Sequence, residues 1–137
     1  MASCLDTKMK RLAAVGMLLL VGCGPMMKPE ERVASPSGAF VVAAIPNEDT
    51  TDPAKHLCLR LVLMTPTGAT LSALQTGASD VQKWAVGWME TGDVVVLQSS
   101  DIGTLAFTVV SNQLDQVALT PPIEARAAQL KQSKYGR

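Results

Sequence analysis

Apolar side chains recur at every second position in several stretches after residue 38, and short runs of turn formers cut these stretches apart. Ala39-Phe40-Val41-Val42-Ala43-Ala44-Ile45 reads as a first strand, entered through Pro36-Ser37-Gly38 and closed by Pro46. Leu57, Leu59, Leu61 and Leu63 alternate with Cys58, Arg60, Val62 and Met64, which places the leucines on one face of a second strand. Thr65-Pro66-Thr67-Gly68 then turns the chain so that Ala69 to Leu74 pairs back as a hairpin partner. Trp84, Val86 and Trp88 again share a face. After the turn at Glu90-Thr91-Gly92-Asp93 comes the β-branched run Val94-Val95-Val96-Leu97-Gln98, and beyond Ser99-Ser100-Asp101-Ile102-Gly103 the alternation resumes at Leu105, Phe107 and Val109.

The period changes at the end of the chain. Thr120 stands where a helix would be capped, Pro121 and Pro122 fill the first helical positions, and Ile123, Ala127 and Leu130 fall on one side. Lys131 and Lys134 suit the negative end of that helix's dipole. The expected fold is therefore mainly β: five to seven strands in an antiparallel meander, forming a small sheet or sandwich, with one C-terminal helix on it or along its edge.

The first residues do not belong to this pattern. Lys8, Lys10 and Arg11 precede an apolar run from Leu12 to Val21, followed by small residues, the three-part layout of an export signal. The run is about half the roughly 20 residues that a membrane-spanning helix requires. Leu20-Val21-Gly22-Cys23 resembles the lipobox of bacterial lipoproteins. The resemblance implies cleavage between Gly22 and Cys23, a covalent diacylglycerol and an N-acyl lipid on Cys23, and a place in the cell envelope. Two or three acyl chains hold a protein on a bilayer where one holds it marginally. Because Gly24 and not aspartate follows the cysteine, the same resemblance implies the outer membrane, facing the periplasm, when the source has two membranes. The expected organisation is a signal peptide over 1–22, a flexible tether over 23–34 that is rich in proline and charge, and a single β-rich domain with its helix over 35–137.

Two segments, Ser35-Pro36-Ser37-Gly38-Ala39-Phe40 and Trp88-Met89-Glu90-Thr91-Gly92-Asp93-Val94, are similar to the turn-and-strand pieces of TolB-type periplasmic β-propeller repeats. A closed propeller needs at least four blades of about forty residues, more than this chain holds. The resemblance implies a blade-like meander and carries over no binding residue. The mature part also resembles small bacterial lipoproteins, a likeness that implies no activity.

Charge and composition then narrow the chemistry. Twelve basic and 12 acidic residues balance, so no net field attracts nucleic acid. No phosphate-binding glycine loop, zinc-ligand spacing or serine-nucleophile turn is present. The polar loop Asn47 to Pro53 lacks the glycine and terminal glutamate of a calcium loop, so no metal site is expected. The single histidine, His56, lies two residues from Cys58, a spacing that on a strand would allow a thiolate–imidazole pair. The simpler reading leaves His56 solvated at the strand's entrance and packs Cys58 as a small hydrophobe. Asp101, flanked by Ser99, Ser100 and Thr104, is either a polar ligand site or the acceptor for its own turn's amides. Trp84 and Trp88 are either core or an aromatic platform for a glycan or peptide. Three classes of function remain: a noncatalytic membrane-anchored module that binds an envelope protein or component, a small-ligand or glycan binder using Trp88 and Asp101, and a small hydrolase or thiol enzyme.

Overall fold

Two four-stranded antiparallel sheets, each a simple meander, make up most of the computed structural model, which describes residues 30–136. The first sheet runs in the order β1 (Glu31–Ala34), β2 (Val41–Pro46), β3 (Cys58–Met64), β4 (Thr70–Ser79). The second runs β5 (Trp84–Trp88), β6 (Val94–Ser99), β7 (Gly103–Val110), β8 (Gln113–Val117), and the helix α1 (Pro121–Tyr135) follows. The architecture is the mainly β class read from the pattern, with eight strands in place of five to seven.

Both additional strands are polar edges. β1 falls inside the stretch expected to be a tether. Its sequence Glu-Arg-Val-Ala has one inward apolar side chain, Val33, and edge strands of this kind carry charge to discourage pairing with other chains. β8 follows a two-residue turn in which Ser111 and Asn112 both take positive φ, at 50° and 63°. Such primed turns match the twist of a hairpin, but without a glycine they leave little trace in the sequence. The four-leucine stripe is also shortened. Leu57 sits outside β3 with φ at 62° and is exposed, while Leu59, Leu61 and Leu63 are buried in the core.

The sheets close on one another through a single core. Val42, Ala44, Leu59, Leu61 and Leu63 from the first sheet meet Trp84, Val86, Trp88, Val95, Leu97 and Phe107 from the second. The first hairpin turn of each sheet is built alike. Ser35 N donates to Phe40 O and Met89 N donates to Val94 O, both at 2.8 Å, and Gly38 and Gly92 hold φ at 77° and 84°. These two turns meet where Ser37 Oγ donates to Asp93 Oδ1 at 2.8 Å.

Helix α1 covers the outer face of the second sheet, seating Ile123 and Ala127 against Val96 and Ala106. Its close approach needs Gly87, where a Cβ would come within 2.5 Å of the Leu130 side chain. Thr120 occupies the N-cap position without a side-chain bond, and Pro121 there removes a backbone donor that would otherwise need one. Lys134 in the last turn reaches Glu31 Oε2 at 2.8 Å and stands 3.5 Å above the Trp84 ring, tying the helix end to the first strand of the other sheet.

Trp88 Nε1 donates to Val33 O at 2.8 Å, so one indole joins an inner position of the second sheet to the edge strand of the first. Replacing Trp88 by Phe keeps an aromatic ring but leaves that carbonyl without its donor. We expect a loss of about 1–3 kcal/mol from the broken bond, read as a lower urea midpoint at unchanged m-value.

Candidate functional site

The residues singled out from the sequence do not assemble into one site. Trp84 and Trp88 are 3% and 2% exposed, packed between the sheets with both ring nitrogens bonded, Trp84 Nε1 to Asp80 Oδ1 and Trp88 Nε1 to Val33 O. Neither indole offers a face to a glycan or peptide. The platform reading is corrected by the strand geometry itself: the alternation that puts both rings on one face puts them on the inner one.

Asp101 lies at the rim and is occupied. Its Oδ1 accepts from Ser99 Oγ and its Oδ2 accepts from Ser79 N at 3.1 Å. Because Ser79 ends β4 and Ser99 ends β6, the carboxylate pins the two sheets together at one corner, more than the purely local turn role read from the sequence. Partial burial raises the Asp101 pKa, but the bonds from Ser99, Ser79 and the turn amides outweigh it and hold the carboxyl below its ordinary value.

His56 and Cys58 are not a pair. The left-handed residue Leu57 between them breaks the alternation that would have set them side by side. The Cys58 thiol donates instead to Ala54 O at 3.6 Å, and His56 Nδ1 is buried without a hydrogen-bond partner. Among the described residues no group of three or more His, Cys, Asp or Glu side chains is placed to hold a metal ion. Gly22 and Cys23 lie outside the described residues.

The two sides of the sandwich differ. On the β1–β5 side the exposed backbone of an edge strand is answered by side chains of α1. The Tyr135 hydroxyl accepts from Trp84 N at 3.0 Å and donates to Trp84 O at 2.8 Å, and Arg126 Nε donates to Trp88 O at 2.7 Å. That side is sealed. On the opposite side β4 faces β8, and between them a cleft of about 210 Å3 opens, lined by Leu74, Gln75, Thr76, Gly77, Leu105, Phe107, Leu114 and Gln116.

A register break between Cys58 and Arg60 shapes this cleft by bulging β4. Thr76 Oγ1 donates to Leu59 O at 2.7 Å and Gln75 Nε2 lies 3.3 Å from the same oxygen, so the local polar groups turn inward and stabilise the bulge. Its lining mixes Leu74, Leu105, Phe107 and Leu114 with Gln75, Thr76 and Gln116 and carries no charged residue, and there is open space at Gly77, where a Cβ would meet nothing within 4 Å. Sequence reasoning missed this place because it depends on the unread strand β8 and on where a bulge falls. The one signal available was Gly77, a glycine inside a strand-like run. No protein-family model, no curated protein and no solved structure matches the chain.

The Asp101 corner has a pH consequence. A carboxyl held below its ordinary value in the folded state stabilises the fold above the unfolded pKa of about 4 and loses that contribution as pH falls through the folded value. Denaturation midpoints between neutral pH and strong acid are therefore expected to decline in wild type. In Asp101→Asn the midpoint at neutral pH is lower and the acid decline shallower.

Proposed function

We propose that this chain is a lipid-anchored protein of the bacterial cell envelope whose β domain binds a protein or envelope component and carries out no chemistry of its own. The observation that carries the reading is the spacing between Leu20-Val21-Gly22-Cys23 and β1: seven residues, 24–30, separate the cysteine from Glu31. A fully extended linker of that length reaches about 25 Å. A lipidated Cys23 would hold the sandwich against the bilayer within less than its own diameter. Among the described residues no helix is long and apolar enough to cross a membrane.

The binding surface in this reading is the β4–β8 cleft. Pockets for drug-sized ligands run from about 300 to 1,000 Å3, and this cleft is smaller, mixed in polarity and free of charged lining residues. So small a place suits one or two side chains of a protein partner better than a drug-sized ligand. The glycan-binding alternative loses its aromatic surface with both indoles buried. The thiol-enzyme alternative loses the pair it was built on.

In cells, the wild-type chain is expected to incorporate labelled fatty acid and to sediment with membranes, and Cys23→Ser to do neither. Crosslinking of the membrane-attached protein should capture a recurrent partner, and Gly77→Trp, at a lining position where a Cβ meets nothing within 4 Å, should lose that partner while keeping the lipid and the wild-type denaturation midpoint. Unlabelled wild-type protein would sink the anchor, and a partner still captured by Gly77→Trp would sink the cleft.

A further inference from the structure

Among the described residues five large apolar side chains are exposed, and three of them stand at one end of the sandwich: Leu57, Val81 and Ile102, at 37%, 70% and 43% exposure. Leu57 closes the loop between β2 and β3, Val81 lies in the connection from β4 to β5, and Ile102 in the turn from β6 to β7. Two hydrogen bonds draw these tips together. Asp80 N donates to Leu57 O at 2.8 Å, which sets Val81 beside Leu57, and Ser79 N donates to Asp101 Oδ2 at 3.1 Å, which brings Ile102 to the same connection. Leu57 takes a φ of 62°, where glycine or asparagine sits with less strain, and it belongs to none of the apolar clusters, so local folding does not call for leucine there.

The opposite end is of another character. Its turns are short and closed by their own backbone, Ser35 N to Phe40 O, Thr65 N to Ala69 O and Met89 N to Val94 O, and Val110 is the one large apolar side chain exposed there among the described residues. Leu119, the fifth, lies in the link between β8 and α1. Single exposed apolar residues are ordinary on a protein surface, but three on adjoining loops make a patch. The charges around that patch are of both signs, Glu48, Asp49 and Asp52 against Lys55 and Lys83, all exposed, so the surface offers apolar contact without a field of one sign.

The position of Glu31 says which partner fits the patch. Glu31, the residue of β1 nearest Cys23 in sequence, pairs with Ala44 towards the end of β2, and its carboxylate meets Lys134 in the last turn of α1, so it lies at the same end as Leu57, Val81 and Ile102. Seven residues separate it from Cys23, a reach of about 25 Å. Bringing the opposite end to the bilayer would require them to pass the whole sandwich, about 26 Å for the eight residues of β7. Only the near end comes to the surface without a taut linker. We infer that Leu57, Val81 and Ile102 rest on the membrane, entering the interfacial layer of a zwitterionic lipid surface and setting the domain end-on to it. This depends on the lipid-anchored reading above and adds an orientation to it.

The test uses the full chain made in cells with labelled fatty acid to report on Cys23, with Cys4→Ser and Cys58→Ser, and with a reporter thiol introduced by Ser100→Cys at the near end or Thr91→Cys at the far end, both exposed positions. The purified protein is placed in phosphatidylcholine vesicles at low protein density, and a dye on the reporter is quenched by brominated lipid. Quenching at position 100 should exceed that at 91 about threefold or more, since apolar tips of this kind enter only the outer 5–10 Å or so of the bilayer. Leu57→Asn, Val81→Asn and Ile102→Asn together should bring position 100 down towards position 91, with the labelled lipid retained and the emission of Trp84 and Trp88 without quencher unchanged as the check on folding. Equal quenching at the two positions would overturn the inference, as would quenching at 100 that survives the three asparagines, which assigns the nearness to the linker alone. A chain without label on Cys23 would remove the lipid-anchored reading and the inference with it, whereas a labelled chain without the difference would remove the inference and leave that reading standing.

Discussion

Two indoles have to be buried whole, and each brings a ring N–H that cannot be left without an acceptor. The sandwich meets that constraint by putting Trp84 and Trp88 at the two ends of β5, with Asp80 and the Val33 carbonyl as their partners. The acceptors come from the two edges of the first sheet: Asp80 directly follows β4, and Val33 belongs to β1. Once both bonds are made, the relative position of the sheets is fixed along the length of β5, and the leucines of β3 meet Val95, Leu97 and Phe107 in one layer. Dispersion and area burial supply the bulk of the stabilisation. The two ring bonds choose which of many greasy arrangements is adopted.

The asymmetry of the molecule follows from the same strand. β5 lies at an edge, where its backbone would be open to other chains, and the C-terminal helix supplies Tyr135 and Arg126 to occupy it. That helix also brings Lys134 over Trp84 and onto Glu31. One flank is thereby closed by a hydroxyl, a guanidinium and an ammonium. Among the described residues β4 and β8 on the other flank have no such cover, and the β4 bulge widens the gap between them into the cleft. In a fold of this size the contrast between a sealed and an open flank is the clearest physical pointer to where contact with another molecule would occur.

Much of this was legible in the sequence where one principle dominated. Alternation marked β3, β5 and β7 because their inner faces are buried and their outer faces differ, and Pro121-Pro122 marked the start of α1. Edges were harder to read. β1 and β8 each carry one inward apolar residue, Val33 and Leu114, so neither rises above the noise of a polar loop. Site reasoning left alternatives open for a related reason. Trp84, Trp88 and Asp101 were recognised as special residues, but composition does not tell an exposed tryptophan from a core one, nor show that a turn carboxylate reaches the amide of Ser79 in the other sheet. The His56–Cys58 pairing assumed a regular strand that the positive φ of Leu57 interrupts.

Each sheet is made from one continuous stretch of chain, 31–79 and then 84–117, and the two are joined by a single short connection. Every strand pairing is therefore between neighbours in sequence, and the encounter that matters over long range is the meeting of the two faces. During synthesis the first meander is finished before any part of its partner has been made, and its leucines have nothing to pack against until Trp88, Leu97 and Phe107 arrive. A single sheet with one bare apolar face is marginal by itself. The chain thus stays pliable through most of its length and commits to its shape late, in one step. For a protein that must be threaded across a membrane before it folds, as the envelope reading requires, that timing keeps the polypeptide thin enough to pass.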